Sequence, residues 1–237
     1  MKQLTVITVL LFCYTGIFTQ DEQPSVLCKE GLEKVRHDDY KGALEYFNKA
    51  ISIDSTYARA YNDRAGTKYL MGHLEEALKD FNTAIRLKPK DAHAYYNRGS
   101  VKADMGKYKE AIDDYNTSIS FNSHYADVYY KRGNVWYLMD AFEKANDDYT
   151  KAVEIDPEFT DAYYNRGLLN YTLKKFDDAI ADYSKAIAIN PQEADCYYNR
   201  GIVQYELGMT DAACADWAKS KKLGIKDAKN MMKELCH

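Results

Sequence analysis

The chain has 237 residues, 46% hydrophobic and 29% charged, an ordinary soluble composition whose length alone leaves one domain or two open. Its formal charge of −4 gives no hint of the basic face that nucleic-acid binding needs, and with four prolines and no Ser/Gly-rich or single-charge run it shows no linker. Tyrosine is heavily used, 22 copies against 8 Phe, which suits surfaces that are half buried and half wet.

The first segment stands apart from the rest. Met1-Lys2 makes a short basic start, Leu4 to Phe18 is mainly apolar, and Gln20-Asp21-Glu22-Gln23-Pro24 turns polar. This reads as a secretory signal peptide over residues 1–19, cut near Thr19/Gln20, with the mature chain exported to a periplasm or the exterior. Two alternatives compete with it. An uncleaved anchor prefers about 20 apolar residues, more than this run supplies. A lipoprotein signal puts a small residue before its cysteine, whereas Cys13 follows Phe12. With the signal removed, no membrane span is expected.

From residue 24 onward the chain repeats itself. Arg64, Arg98, Arg132, Arg166 and Arg200 lie 34 residues apart, each inside a Tyr-rich motif such as Tyr95-Tyr96-Asn97-Arg98-Gly99. Numbering the small residue after each arginine as position 8, with Gly31 in a degenerate first copy, gives repeats 24–57, 58–91, 92–125, 126–159, 160–193 and 194–227. Position 20 is Ala43, Ala77, Ala111, Ala145, Ala179 and Ala213, and position 24 is Phe47, Phe81, Tyr115, Tyr149, Tyr183 and Trp217. Position 32 is Pro89, Pro157 and Pro191, but Ser55, Ser123 and Ile225 depart from it.

This period and pattern resemble the tetratricopeptide repeat (TPR). The resemblance implies an all-α, right-handed superhelical solenoid of six helix-turn-helix repeats. Within each copy, small residues at positions 8 and 20 let two backbones approach, and bulky residues at 4 and 24 fill the space around that contact. Gly72, Gly106 and Gly208 end the first helix, with Asp38, Asp140 and Lys174 in the other copies. The segment 228–237 reads as a capping helix, with Ala228, Met231, Met232 and Leu235 at helical spacing. Ala213-Cys214-Ala215-Asp216-Trp217, Leu223-Gly224 and Cys236 resemble the closing repeat of exported bacterial TPR proteins.

The arginine at position 7, where the family usually has Leu, accompanies an acid at position 23: Asp80, Asp114, Asp148, Asp182 and Asp216. Repeat one lacks both, with Glu30 and Tyr46 there. One reading is a basic stripe for an acidic ligand. The favoured one is a salt bridge inside each repeat, because charges near packed interfaces are rarely left unpaired.

By family resemblance the first helices line the inner face. That face carries Tyr96, Tyr130, Tyr164 and Tyr198 at position 5, Asn97, Asn165 and Asn199 at position 6, and Asn134 at position 9. Rings that pack on side chains and amides that pair with backbone suit an extended peptide. The plainer reading is that Tyr and Asn are repeat consensus. No catalytic residue, metal site or cofactor is indicated, because the five histidines share no spacing and no phosphate loop or nucleophile motif is present. The function expected is a non-catalytic scaffold that binds a protein or peptide. The alternative is a structural subunit of an envelope assembly that uses its convex face or its ends, and a less favoured one is an accessory to an enzyme.

Cys214 and Cys236 flank Gly224 at distances that bring them to similar heights on two antiparallel helices. Bonding needs Cα atoms about 4.4–6.8 Å apart, so the spacing permits a disulfide only if the cap packs tightly.

Overall fold

The structure, a computed structural model, describes residues 23–236. The signal-peptide reading of 1–19 and its Cys13 lie outside the described residues. Among those residues there are thirteen helices and no strand. The first helices of the six repeats are α1 (Pro24–Arg36), α3 (Ala58–Leu70), α5 (Ala92–Asp104), α7 (Ala126–Leu138), α9 (Thr160–Thr172) and α11 (Ala194–Glu206). The second helices are α2 (Tyr40–Ile53), α4 (Leu74–Leu87), α6 (Tyr108–Phe121), α8 (Phe142–Ile155), α10 (Phe176–Ile189) and α12 (Thr210–Lys222). A final helix, α13 (Asp227–Leu235), packs on α12.

Each hairpin is built on one close approach. The ring at position 24 lies over the small residue at position 8, and Phe47, Phe81, Tyr115, Tyr149, Tyr183 and Trp217 are all buried. A Cβ added at Gly167 would lie 2.8 Å from the Tyr183 ring, so a larger residue here would force that ring to shift; repeat two instead holds Ala65, buried in the same cluster as Phe81. Where position 27 is Ser instead of Ala, the hydroxyl bonds back to the first helix: Ser118 Oγ donates to the Ala92 carbonyl (2.8 Å) and Ser220 Oγ to that of Ala194 (3.0 Å).

The first helix always stops with a left-handed residue. Gly72, Gly106 and Gly208 have φ of 72–79°, and Asp38, Asp140 and Lys174 take the same conformation at 57–58°. At the second helix end, proline is not what sets the stop. Helices α2 and α6, which lack it, end in register with α4, α8 and α10. After α2, α6, α8 and α10 the residue just past the helix folds its side chain over the next turn: Asp54 Oδ1 accepts from Thr56 N (2.8 Å), Asn122 Oδ1 from His124 N (3.1 Å), Asp156 Oδ1 from Glu158 N (3.0 Å) and Asn190 Oδ1 from Gln192 N (3.1 Å), whereas α4 is followed by Lys88.

First helices of adjacent repeats touch one another, whereas second helices show no comparable contact. The first helices therefore line the inner, concave side of a right-handed superhelix, and the second helices form its outside. No helix among the described residues is long and apolar enough to cross a membrane.

At the far end, α13 buries Ala228 against Ala213 and Trp217. A disulfide joins Cys214 to Cys236 with the Cα atoms 5.8 Å apart. Cys28 and Cys196 are free and buried, and burial pushes each thiol up to about 12.

Candidate functional site

The position-7 arginines reach into the structure. Arg64, Arg98, Arg132, Arg166 and Arg200 meet Asp80, Asp114, Asp148, Asp182 and Asp216 of their own repeats at 2.6–2.7 Å. Each pair is bidentate, with Nε and Nη2 donating to the carboxylate. The guanidinium also lies 5.4–5.8 Å from the ring centroid of the tyrosine three residues earlier, from Tyr61 to Tyr197.

A third contact crosses the repeat boundary. Nη1 donates to the second helix of the preceding repeat: to Asn48 (2.7 Å), Asn82 (2.8 Å), Asn116 (2.5 Å), Thr150 (3.1 Å) and Ser184 (2.8 Å). Each arginine thus staples three helices. The sequence carried a signal for this third partner. Its column is polar wherever an arginine follows and becomes Ala218 where none does. With each guanidinium paired to a carboxylate and three of its five N–H donors in these contacts, the arginines do not form a stripe of free cations.

The concave tyrosines are supported from below. Tyr96 packs against Tyr115 and Tyr125, Tyr130 against Tyr149 and Phe159, and Tyr164 against Tyr183, with ring centroids 5.0–6.3 Å apart. Tyr198 packs in the cluster beneath the cap, and its carbonyl accepts from Trp217 Nε1 (3.2 Å). Burial raises the phenols of Tyr130 and Tyr164 above the ordinary tyrosine range, so both are neutral at physiological pH.

The asparagines form a ladder between repeats. Asn97 Nδ2 donates to Asn62 Oδ1 (3.4 Å), and Asn199 Nδ2 to the Tyr164 hydroxyl (3.0 Å). Asn165 Nδ2 donates to both the Tyr130 hydroxyl (3.2 Å) and Asn134 Oδ1 (2.9 Å). That uses both hydrogens of the Asn165 amide and leaves its oxygen as an acceptor. Asn97 and Asn199 each keep one hydrogen as well. Part of the Tyr/Asn pattern is therefore spent on joining repeats, and the part turned to solvent is smaller than the residue list suggests.

Tyr130, Tyr164, Asn134 and Asn165 come together in repeats four and five, with Tyr96 and Asn97 toward the N-terminal side and Tyr198 and Asn199 toward the cap. Two clefts open there, the second reaching α11 of repeat six. One, of about 200 Å³, is lined by Asn134, Tyr137, Leu138, Tyr149, Asn165 and Leu168 and is mainly apolar. The other, of about 280 Å³, is lined by Tyr130, Asp161, Tyr164, Asn165, Glu193 and Asp195, with Thr160 and Cys196 completing it. Reading the Tyr and Asn columns alone misses Leu138, Leu168 and the three acids. The signal for the leucines lies at positions 9 and 13 of the same face, where Leu168 and Ile202 follow Asn134, and where Leu70 and Leu138 are 57% and 60% exposed; Asp161 and Asp195 share position 2 of their repeats, and Glu193 ends repeat five.

Hairpins stacked at a fixed period around an open inner face, each clamped to its neighbour, define an α-solenoid of helical repeats. The chain belongs to the tetratricopeptide-repeat family: the TPR repeat model matches residues 66–106, 99–140, 137–174 and 171–208, and the tetratricopeptide repeat model matches 25–57. No curated protein matches the sequence. Among solved structures, YrrB, described as a TPR protein with an unusual peptide-binding site, is 25% identical with a TM-score of 0.65, and the match covers 80% of this chain and 98% of YrrB. MamA is 28% identical with a TM-score of 0.62, covering 70% of this chain and 96% of its own. PilF of Pseudomonas aeruginosa shares the fold at a TM-score of 0.80 with 18% identity, over 90% of this chain and 98% of PilF.

Proposed function

We propose that the protein is an exported scaffold whose concave face binds an extended segment of a partner protein. The TPR fold itself suggests a protein–protein interaction scaffold. The observation that carries the finer reading is the pair of adjoining clefts on the inner face of repeats four to six, rimmed by tyrosine rings and the Asn165 side-chain amide. Rings and amide groups of this kind can hold a peptide's side chains and backbone together. YrrB, similar over 80% of the chain, is a peptide binder by its description. The N-terminal segment 1–19 supports export, and the Cys214–Cys236 disulfide fits an oxidising compartment.

The test is site-specific photo-crosslinking in the native host. A photoreactive residue at Leu138, on the inner face, is expected to capture a partner. The same residue at Lys151, exposed on the outer helix α8, is expected not to. Capture from Lys151 with none from Leu138 would move the interface to the convex side. Fractionation of the host places the protein inside or outside the cytoplasm, and a cytoplasmic location would remove the export half of the reading.

A further inference from the structure

The two clefts differ in chemistry and share Asn165 as their common wall. On α9, Asp161, Tyr164, Asn165 and Leu168 follow the spacing that puts them on one helix face. Asp161 belongs to the second cleft and Leu168 to the first, about 10 Å further along the axis at 1.5 Å per residue.

The second cleft is acidic, and no lysine or arginine lines it. Asp161 and Asp195 are exposed and form no ion pair among the described residues, and Glu193 accepts only a hydrogen bond from the Asn190 amide. The cations that could have answered them are engaged elsewhere. Arg166 and Arg200 are held by Asp182 and Asp216. Lys131 lies over the Tyr130 ring at 5.9 Å and faces a different cleft, with Tyr69 and Asp104. Two tyrosines, Tyr130 and Tyr164, border the carboxylates, and the Tyr164 ring, which has no cation over it among the described residues, suits one.

We propose that this face takes an extended segment bearing a lysine or arginine about three residues from a bulky apolar side chain, an extended residue spanning about 3.3–3.6 Å. The cation sits among Asp161, Glu193 and Asp195, and the apolar side chain enters between Tyr137, Leu138 and Leu168. This rests on the peptide-groove reading above and adds the partner's chemistry to it. Charge complementarity selects the occupant. An acidic segment meets three carboxylates, and a neutral one desolvates them without a partner.

Labelled synthetic peptides test it by fluorescence anisotropy. One carries Lys three positions from Leu, a second replaces Lys by Glu, and a third replaces Leu by Ala. The Lys/Leu peptide is expected to bind, to weaken as salt rises, and to bind about tenfold or more tighter than either relative. The Asp161→Asn/Asp195→Asn variant, altered only at exposed side chains, is expected to lose about tenfold for the Lys/Leu peptide and to bind the Glu peptide no worse. Leu138→Asp is expected to abolish the preference for Leu over Ala. Equal binding of Lys and Glu peptides, or affinity indifferent both to salt and to the Asp161→Asn/Asp195→Asn change, overturns the inference. If such charge-blind binding is still lost in Leu138→Asp, the groove itself survives. Failure of every peptide to bind the unaltered protein overturns both.

Discussion

Arg132 grips Asp148 through two hydrogen bonds of 2.6 and 2.8 Å, and no lysine joins them. Asp80 and Asp114 each have one: Lys68 Nζ at 2.9 Å and Lys102 Nζ at 2.8 Å. In repeat four the lysine's place is taken by Trp136, and Lys144 Nζ lies 4.4 Å from its ring centroid. The position facing Lys68 and Lys102 holds Glu76 and Glu110, so this second pair has changed together as well.

One consequence is electrostatic. Burial holds the Asp148 carboxyl above the usual carboxylate range, although Arg132 pulls it down. A raised folded-state value means the native state holds its proton to higher pH than the unfolded chain does. The contribution of Asp148 to stability therefore declines as pH rises from the ordinary value through the raised one. The double change Trp136→Lys/Lys144→Glu rebuilds the arrangement of repeats two and three and is expected to lower the Asp148 midpoint. Carboxyl NMR titration reads it directly, and an unmoved midpoint would show that the lysine does not control it.

Breaking a staple should cost more than removing it whole. Arg132→Leu leaves a buried carboxylate unpaired and is expected to destabilise by about 3 kcal/mol. Arg132→Leu/Asp148→Leu should cost less than the sum of its single changes. A double-mutant cycle in denaturant, monitored by circular dichroism, measures the coupling, and strict additivity would mean that the pair contributes nothing as a pair.

Two glycine substitutions should have opposite signs. Gly66 is inside α3, and a Cβ there would meet nothing within 4 Å, so Gly66→Ala is expected to stabilise by about 0.5–1 kcal/mol. In Gly167→Ala the new Cβ meets the Tyr183 ring at 2.8 Å, and a loss of about 1–3 kcal/mol is expected. Melting temperatures of the two variants settle the comparison. A fall for Gly66→Ala would contradict the open space beside α3.

Reducing the Cys214–Cys236 bond should loosen the cap. It closes a sequence separation of 22 residues, for which chain entropy gives about 3 kcal/mol. Cys236→Ser is expected to expose Trp217, fully buried in the intact protein, and to shift its fluorescence to the red. In the same samples Cys28 and Cys196 should resist alkylation near neutral pH until the chain is unfolded, since burial keeps both thiols protonated. Fast labelling of either in native protein would contradict that burial.

The hairpin architecture was legible because it is local and repeated. One column of alanines, one of rings and one of small residues determine how each pair of helices closes, and the period states that the answer recurs. The turn residues Asp38, Asp140 and Lys174 were legible in the same way, by standing where glycine stands in other copies. What escaped was the contact between repeats. The third arginine partner, from Asn48 to Ser184, varies among Asn, Thr and Ser, so it is a column of shared hydrogen-bonding capacity, not of shared identity. The proposed binding face was read through its tyrosines and asparagines, many of which also hold the solenoid together. Leu138 and Leu168, which give the apolar cleft its character, occupy positions that change from copy to copy, and the column of Asp161 and Asp195 is acidic only from repeat four onward, after Ser25, Arg59 and His93. A repeat pattern hides this information, because specificity lies where the copies differ.

The boundary-crossing arginines also bear on mechanics. Consecutive repeats from the first to the sixth are joined by the same three-point clamp, five times over, and each clamp resists rotation of one hairpin against the next. An array joined in this way is a stiff spring whose pitch and curvature are set before anything is bound. For the extended partner proposed above such an array is a fixed ruler, and an insertion of one residue between two anchoring side chains of that partner is expected to throw the second out of step.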